Sequence, residues 1–227
     1  MKIPGFRLGI YVYRDAEILD YAAPYGVLSV ARRFAPEIDI CAIGETLQAV
    51  GTASGLTVLP AFGLADAPAI DALLIPGGPG ARQQMHNRRL HRYIASLPSA
   101  CLLAGSGSGV WVYACMGLLD GLAATSRKEP DRIEASHLGC SPIDRLAMLA
   151  PACRTQHARI VDSGRIVSAA GPAVGIDLGL HLLRRAGYPE AMLDEVARVM
   201  EYRHAYELHR ADIEYAPSGL PSNLVSH

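Results

Sequence analysis

The chain has 227 residues, 50% of them hydrophobic and 19% charged, and at this length one core buries roughly 70% of the surface an unfolded chain exposes, so neither a disulfide nor a structural metal is needed to hold it. Twenty-one basic residues against 22 acidic ones give a formal net charge of -1, which leaves no cationic surplus to neutralise phosphates and argues against direct nucleic acid binding. No apolar run approaches the ~18 residues that span a bilayer, and Met1 to Arg7 lacks the apolar stretch of a signal peptide, so the expectation is a cytoplasmic protein without a membrane segment.

Short β-type runs alternate with longer helical stretches, the pattern of an α/β protein with a largely parallel sheet. Phe6 to Tyr13 reads as the first strand. Leu19 to Arg33 reads as a helix starting near Asp20 to Ala23, because Pro24 is best tolerated in a first turn. Ile38 to Ile43 is a second strand, followed by a hairpin over Ala49 to Leu59 with Gly51 and Gly55 as punctuation. Asp71 to Ile75 is an unbroken apolar run of the kind buried on both faces, and it ends at Pro76-Gly77-Gly78-Pro79-Gly80. A helix over Asn87 to Leu97 leads to a strand at Ala100 to Ala104, then to Gly105-Ser106-Gly107-Ser108-Gly109 and a helix over Val110 to Leu118. Pro142 to Leu149 is an amphipathic helix, Ala158 to Val161 and Arg165 to Ala169 are strands, and Ala173 to Arg185 and Pro189 to Tyr206 are two further helices. Residues 1–215 thus form a single domain and 216–227 a loosely ordered tail.

Cys41, Cys101, Cys115, Cys140 and Cys153 are odd in number, and no C-x-x-C pair suggests zinc or a redox couple; they are read as free, mostly buried thiols. The histidines form no metal cluster. Glu201 and His204 share a helical face, but His209 falls off it, so a solvated helix with Tyr202 and Tyr206 packing is expected. No cofactor is expected.

The two glycine-rich turns lie at carboxyl ends of strands, where open α/β sheets bind ligands. Pro76-Gly77-Gly78 offers backbone N–H groups free of side-chain obstruction, suited to an oxyanion or a carboxylate, although a plain strand-to-helix turn would have the same sequence. The second turn fits none of the standard patterns. The spacing from Gly105 or Gly107 breaks the dinucleotide fingerprint, no Gly-Lys-Ser/Thr follows, and neither Ser106 nor Ser108 has glycines two residues away on both sides, as a serine elbow requires.

Tyr11 to Val30 (YVYRDAEILDYAAPYGVLSV), Ala65-Asp66-Ala67-Pro68, Leu73 to Gly80, Gly117-Leu118-Leu119-Asp120-Gly121 with Ala124-Thr125-Ser126, and Gly164 to Val167 with Gly175-Ile176-Asp177 together resemble the ThiJ/PfpI superfamily. The branch they resemble most holds isocyanide hydratase and the sensor domains of AraC-type regulators. The resemblance implies a mostly parallel sheet sandwiched by helices, of flavodoxin-like or class I glutamine amidotransferase-like type, and a homodimer.

Active members of that family carry a Cys-Thr-Gly elbow ten residues before the first glycine of the Gly-Leu-Leu segment, a position that falls here on Gly107, with Ser108 and Gly109 after it. The nucleophile is missing, while a glycine keeps an elbow with φ > 0 free of steric cost. Ser126 is followed by Arg127 and Lys128 where the branch has a histidine, and Ala23 and Gly26 replace the usual glycine and acidic residue around Pro24. Asp20 does match the family's acid, and both a helix-start cap and a proton-handling role remain open for it. Cys101 lies inside an apolar strand and Cys115 in mid-helix, and neither is placed as a substitute nucleophile. Ser106 or Ser108 would need a base that the sequence does not place beside it.

Two functions follow from the resemblance. In the favoured one the protein is catalytically silent and binds a small metabolite over Gly77, Gly78, Gly107, Ser108 and Gly109. Asp20 and Arg127 would be the polar contacts, an arginine there suiting a carboxylate. In the alternative it is a lyase or hydrolase of isocyanide-hydratase type, acting through Asp20 or Ser108 without the cysteine. No helix-turn-helix pair is present, so a regulatory role would need a partner.

Overall fold

A computed structural model describes residues 5–130 and 140–216. The first strand, β1 (Arg7–Val12), runs into α1 (Ile18–Ala31) and then β2 (Asp39–Gly44). The expected hairpin is present as β3 (Val50–Gly51) paired antiparallel with β4 (Thr57–Val58), and β5 (Phe62–Gly63) follows it. Next come β6 (Ala72–Ile75), a single turn α2 (Ala81–Gln84), α3 (Arg88–Ser96), β7 (Leu102–Ser106) and α4 (Val110–Cys115). The second half contains β8 (Ala123–Ala124), α5 (Pro142–Leu149), β9 (Arg154–Thr155), β10 (Ile160–Asp162), β11 (Ile166–Ala169), α6 (Gly175–Arg185), α7 (Glu190–Val199), α8 (Arg203–His209) and β12 (Ile213–Tyr215).

Eight strands make one sheet in the order β12-β10-β11-β7-β6-β1-β2-β5, parallel except at the β10–β11 hairpin. Alternate residues of the central strands feed two cores. Leu8, Ile10, Ala72 and Leu74 pack under α1, α6 and α7 with Val27, Leu178 and Val196. Tyr11, Leu73, Ile75 and Leu103 pack on the other face with Leu90, Ile94, Trp111 and Leu146 of α3, α4 and α5. β6 is buried along its whole length, as its apolar run requires.

Helix boundaries follow local chemistry. The Asn87 side chain accepts from the Arg89 and Leu90 N–H groups to start α3, and Ser141 and Asp144 cap α5 reciprocally, with Pro142 in the first turn. α1 begins earlier than expected, at Ile18, which puts Pro24 inside the helix. The proline ring packs against α6, where a Cβ at Gly175 would lie 3.1 Å from Pro24 Cδ and 2.8 Å from Ala23 Cβ. The close approach of the two helices therefore accounts for the glycine at 175. The single helix expected over Pro189 to Tyr206 is two, broken between Val199 and Arg203, and β12 was not anticipated from the sequence. Tyr215 belongs to that strand, and residues 217–227 of the expected tail lie outside the described residues. Among the described residues no helix is long and apolar enough to cross a membrane.

Candidate functional site

The pairing of Ile75 with Gly105 sets the carboxyl ends of β6 and β7 side by side, so the two glycine-rich turns meet. β7 extends through Ser106, and Gly107 to Gly109 form one tight 3₁₀ turn that runs directly into α4. At Gly109 a Cβ would lie 2.1 Å from the Ile75 carbonyl oxygen and 2.5 Å from that of Pro76, which only glycine avoids. Gly109 is thus the packing point between the turns, whereas Gly77, Gly78, Gly107 and Ser108 reach the surface of a shared pocket with Asp20 and Arg127.

Asp20, third residue of α1, is 1% exposed. Its carboxylate does not cap its own helix. Oδ2 accepts from the Gly77 N–H at 2.8 Å and Oδ1 accepts from the Ser106 hydroxyl at 2.8 Å. Burial pushes its pKa up to about 6, with Glu17 adding to the rise, while the two hydrogen bonds and Arg127 pull the other way. Desolvation therefore outweighs the preference of a helix start for an anion, and the group titrates near neutrality.

Gly107 has φ of 52°, in the left-handed region. A Cβ built there would lie 3.6 Å from Asp20 Oδ2, 3.9 Å from Gly77 Cα and 4.0 Å from the Ala170 carbonyl oxygen, all ordinary contacts. The backbone is held in place by Ser126, whose hydroxyl donates to the Gly107 carbonyl at 2.8 Å. Ser108 is 3% exposed, and its Oγ accepts from the Gly78 N–H at 3.0 Å and donates to the Gly78 carbonyl at 3.2 Å. That hydroxyl staples one turn to the other.

Glu17, Pro79 and Pro172 complete the walls. The enclosed space is small, about 30 Å³, enough for a head group of one or two heavy atoms or for water. The aliphatic part of Arg127 lies against Gly171, where a Cβ would be 3.7 Å from Arg127 Cγ. Glu17 and Pro172 were not singled out in the sequence, Ser126 entered there only as a motif residue and Ser106 only as a nucleophile; no local pattern marks contacts that span the whole fold.

The cysteines lie apart from this pocket. All five are free, with Cys41, Cys101 and Cys153 buried. Burial pushes the Cys101 and Cys41 thiols up to about 11, so both stay protonated at neutral pH. Glu201, His204 and His209 do not share one helix, since Glu201 sits in the break before α8.

No family model matches the chain. Isonitrile hydratase of Pseudomonas putida is 24% identical to it over 218 residues, covering 95% of this chain and 87% of the hydratase. A ThiJ/PfpI family protein from Pseudomonas syringae superposes with a TM-score of 0.74 at 20% identity, over 99% of this chain and 80% of that one. An AraC family transcriptional regulator from Pseudomonas putida superposes with a TM-score of 0.69 at 20% identity, over 86% of this chain and 99% of that one. The fold is therefore that of the ThiJ/PfpI proteins.

Proposed function

We propose that this homologue of isonitrile hydratase, built on the ThiJ/PfpI fold, is a catalytically silent binder of a small metabolite, which it holds in the pocket over Gly107. The observation that carries the reading is the slot at Gly107: a turn at φ of 52° whose missing side chain would point 3.6 Å from a buried carboxyl group, with no side chain to attack anything. Asp20 supplies a proton donor or acceptor at the floor, depending on pH, and Arg127 supplies positive charge at the wall, which suits a ligand with a carboxylate. The protein is taken to work in the cytoplasm, as a homodimer, and without a cofactor.

The alternative, hydration by Asp20 or Ser108, has less support. The Ser108 hydroxyl is engaged at both its donor and acceptor sides by Gly78, and Asp20 alone offers no covalent intermediate.

The test is isocyanide hydration by the wild-type chain beside Gly107→Cys, with Gly107→Cys/Asp20→Ala as control. An inactive wild type, together with turnover in Gly107→Cys that depends on Asp20, supports an intact pocket without its nucleophile. Wild-type turnover that is lost on Asp20→Ala overturns the silent reading. In parallel, thermal-shift screening of small carboxylates reads binding directly, because a ligand at 100 times its Kd stabilises by about 2.7 kcal/mol.

A further inference from the structure

A second cavity, of about 210 Å³, opens at the carboxyl ends of β1 and β2, between Tyr11 to Arg14, Gly44 to Thr46, the start of the β3–β4 hairpin and Gln84 of α2. Carboxyl ends of parallel strands are where open α/β sheets hold ligands, and this cavity shares no lining residue with the pocket over Gly107. Tyr13 on its wall is anchored to the first glycine-rich turn, its hydroxyl donating to the Pro76 carbonyl at 2.5 Å, and its ring stacks on that of Tyr11 with centroids 5.7 Å apart.

The amide of Gln84 is held in one orientation by its neighbours. Asn87 Oδ1 accepts from the Arg89 and Leu90 N–H groups at the start of α3, which leaves Asn87 Nδ2 to donate to Gln84 Oε1 at 3.0 Å and to Glu45 Oε2 at 2.8 Å. The Tyr11 hydroxyl donates to the same Gln84 Oε1 at 3.2 Å. Burial, with the Glu45 charge adding to it, raises the Tyr11 pKa, so that hydroxyl keeps the proton it donates. With Oε1 fixed as the acceptor, Gln84 Nε2 finds no acceptor among the described residues, although the side chain belongs to a residue only 8% exposed. A nearly buried donor on the wall of a cavity calls for an acceptor inside it.

Charge gives that acceptor its kind. Glu45 on the rim is balanced by Arg89 at 3.1 Å, whereas Arg14 is exposed and has no acidic partner among the described residues. The wall therefore carries an excess of positive charge beside the neutral amide donor, with Ala49 and Val50 supplying apolar surface.

We propose that this cavity binds a small carboxylate with an apolar body, the carboxylate taking hydrogen bonds from Gln84 Nε2 and Arg14 and the body lying against Ala49 and Val50. The site stands or falls separately from the reading given to the Gly107 pocket.

Benzoate is the probe, and benzamide, of nearly the same shape but neutral, is its comparator. Calorimetric titration of the full chain at pH 7 is expected to show saturable benzoate binding at least tenfold tighter than that of benzamide. Arg14→Gln removes the cation without removing a hydrogen bond of the fold, and Gln84→Met replaces the amide by an apolar chain of similar length. Each is expected to weaken benzoate about tenfold, the loss of one charge-assisted hydrogen bond. Arg127→Gln, on the wall of the other pocket, leaves the benzoate affinity unchanged. Binding that Arg127→Gln weakens and Arg14→Gln does not puts benzoate in the Gly107 pocket and overturns this site. Equal affinities for benzoate and benzamide overturn the carboxylate class, and a wild type that binds no benzoate overturns both. Melting temperatures measured alongside exclude unfolding of Gln84→Met as the cause of a loss, and the exposed Arg14 keeps the test decisive should that variant fail to fold.

Discussion

Asp20 on α1 and Ser106 at the end of β7, 86 residues apart, join their oxygens at 2.8 Å and so tie the helix that supplies the acid to the strand that supplies the elbow. The carboxyl group held there has its pKa raised from 3.8 to about 6, chiefly by burial. The sign of the stability effect follows. Between those two values the folded state holds a proton that the unfolded chain has released, so stability falls as pH rises through the window and the loss is complete above it.

Replacing Asp20 with asparagine removes the buried charge and keeps both contacts, since the amide oxygen accepts from Gly77 and the amide nitrogen donates to the Ser106 oxygen. Asp20→Asn is expected to gain up to about 3 kcal/mol over wild type at pH 8, shrinking toward zero at pH 4. Urea denaturation from pH 4 to 8 reads this difference, and an asparagine variant less stable than wild type at pH 8 would show that the carboxylate is not strained by burial.

The elbow makes a sharper contrast within three residues. Gly107→Ala adds a methyl group that meets its neighbours only at ordinary contact distances of 3.6 Å and beyond, so it carries only the cost of a left-handed backbone, about 1–2 kcal/mol. Gly109→Ala drives its methyl to 2.1 Å from the Ile75 carbonyl oxygen, which forces the two turns apart and should cost at least 3 kcal/mol, roughly the upper end for overpacking. Denaturant midpoints decide it: equal losses at both positions would mean that the turn geometry is set elsewhere.

Much of this architecture is legible in the sequence because its signals are local. The β6 run of Ala72 to Ile75 and the Ser141–Asp144 box that starts α5 each say what they are within a few residues. β8, β9 and β12 are too short for any periodicity, and they exist only through pairing, β12 with β10 at the sheet edge and β8 with β9 in a separate two-stranded ladder. The site divides the same way. The glycines and Asp20 stand out, but the donors that hold Asp20, the Ser106 hydroxyl at the end of β7 and the Gly77 N–H in the turn after β6, are brought beside α1 only by the fold.

Asp162 illustrates a buried carboxylate with the opposite sign. Burial alone would raise its pKa, but hydrogen bonds from His181 at 2.7 Å, Arg185 at 2.5 and 2.6 Å and the Gly164 N–H at 3.0 Å win, and the pKa is lowered. Its contribution to stability is full above the unfolded pKa of 3.8 and is lost as pH falls through the lowered folded value. Asp162→Ala leaves His181 and Arg185 facing an empty acceptor and is expected to cost about 3–5 kcal/mol at pH 7. The gap to wild type should narrow below pH 4 in equilibrium unfolding, as the Asp162 carboxylate is protonated. A gap that widens on acidification would place the stabilising charge on another group.

The break between α7 and α8 is held by an unfavourable residue. Glu201 has φ of 53°, and the surrounding bonds, Glu201 N–H to the Arg198 carbonyl at 3.1 Å and Tyr202 N–H to the Ala197 carbonyl at 2.8 Å, are those of a Schellman helix end, where glycine is preferred. The turn redirects the chain so that Tyr202 donates to Asp177 Oδ1 at 3.0 Å and His209 Nδ1 reaches Asp177 Oδ2 at 3.2 Å, which docks α8 on α6. That docking over-determines the turn and lets a glutamate occupy it. Glu201→Gly relieves the left-handed backbone while losing some unfolded-state restriction, for a net gain of about 0.5–1 kcal/mol. Chemical denaturation is the measurement. A loss on this substitution would mean that the glutamate side chain, exposed and next to Arg198, stabilises the helix end by more than its backbone costs.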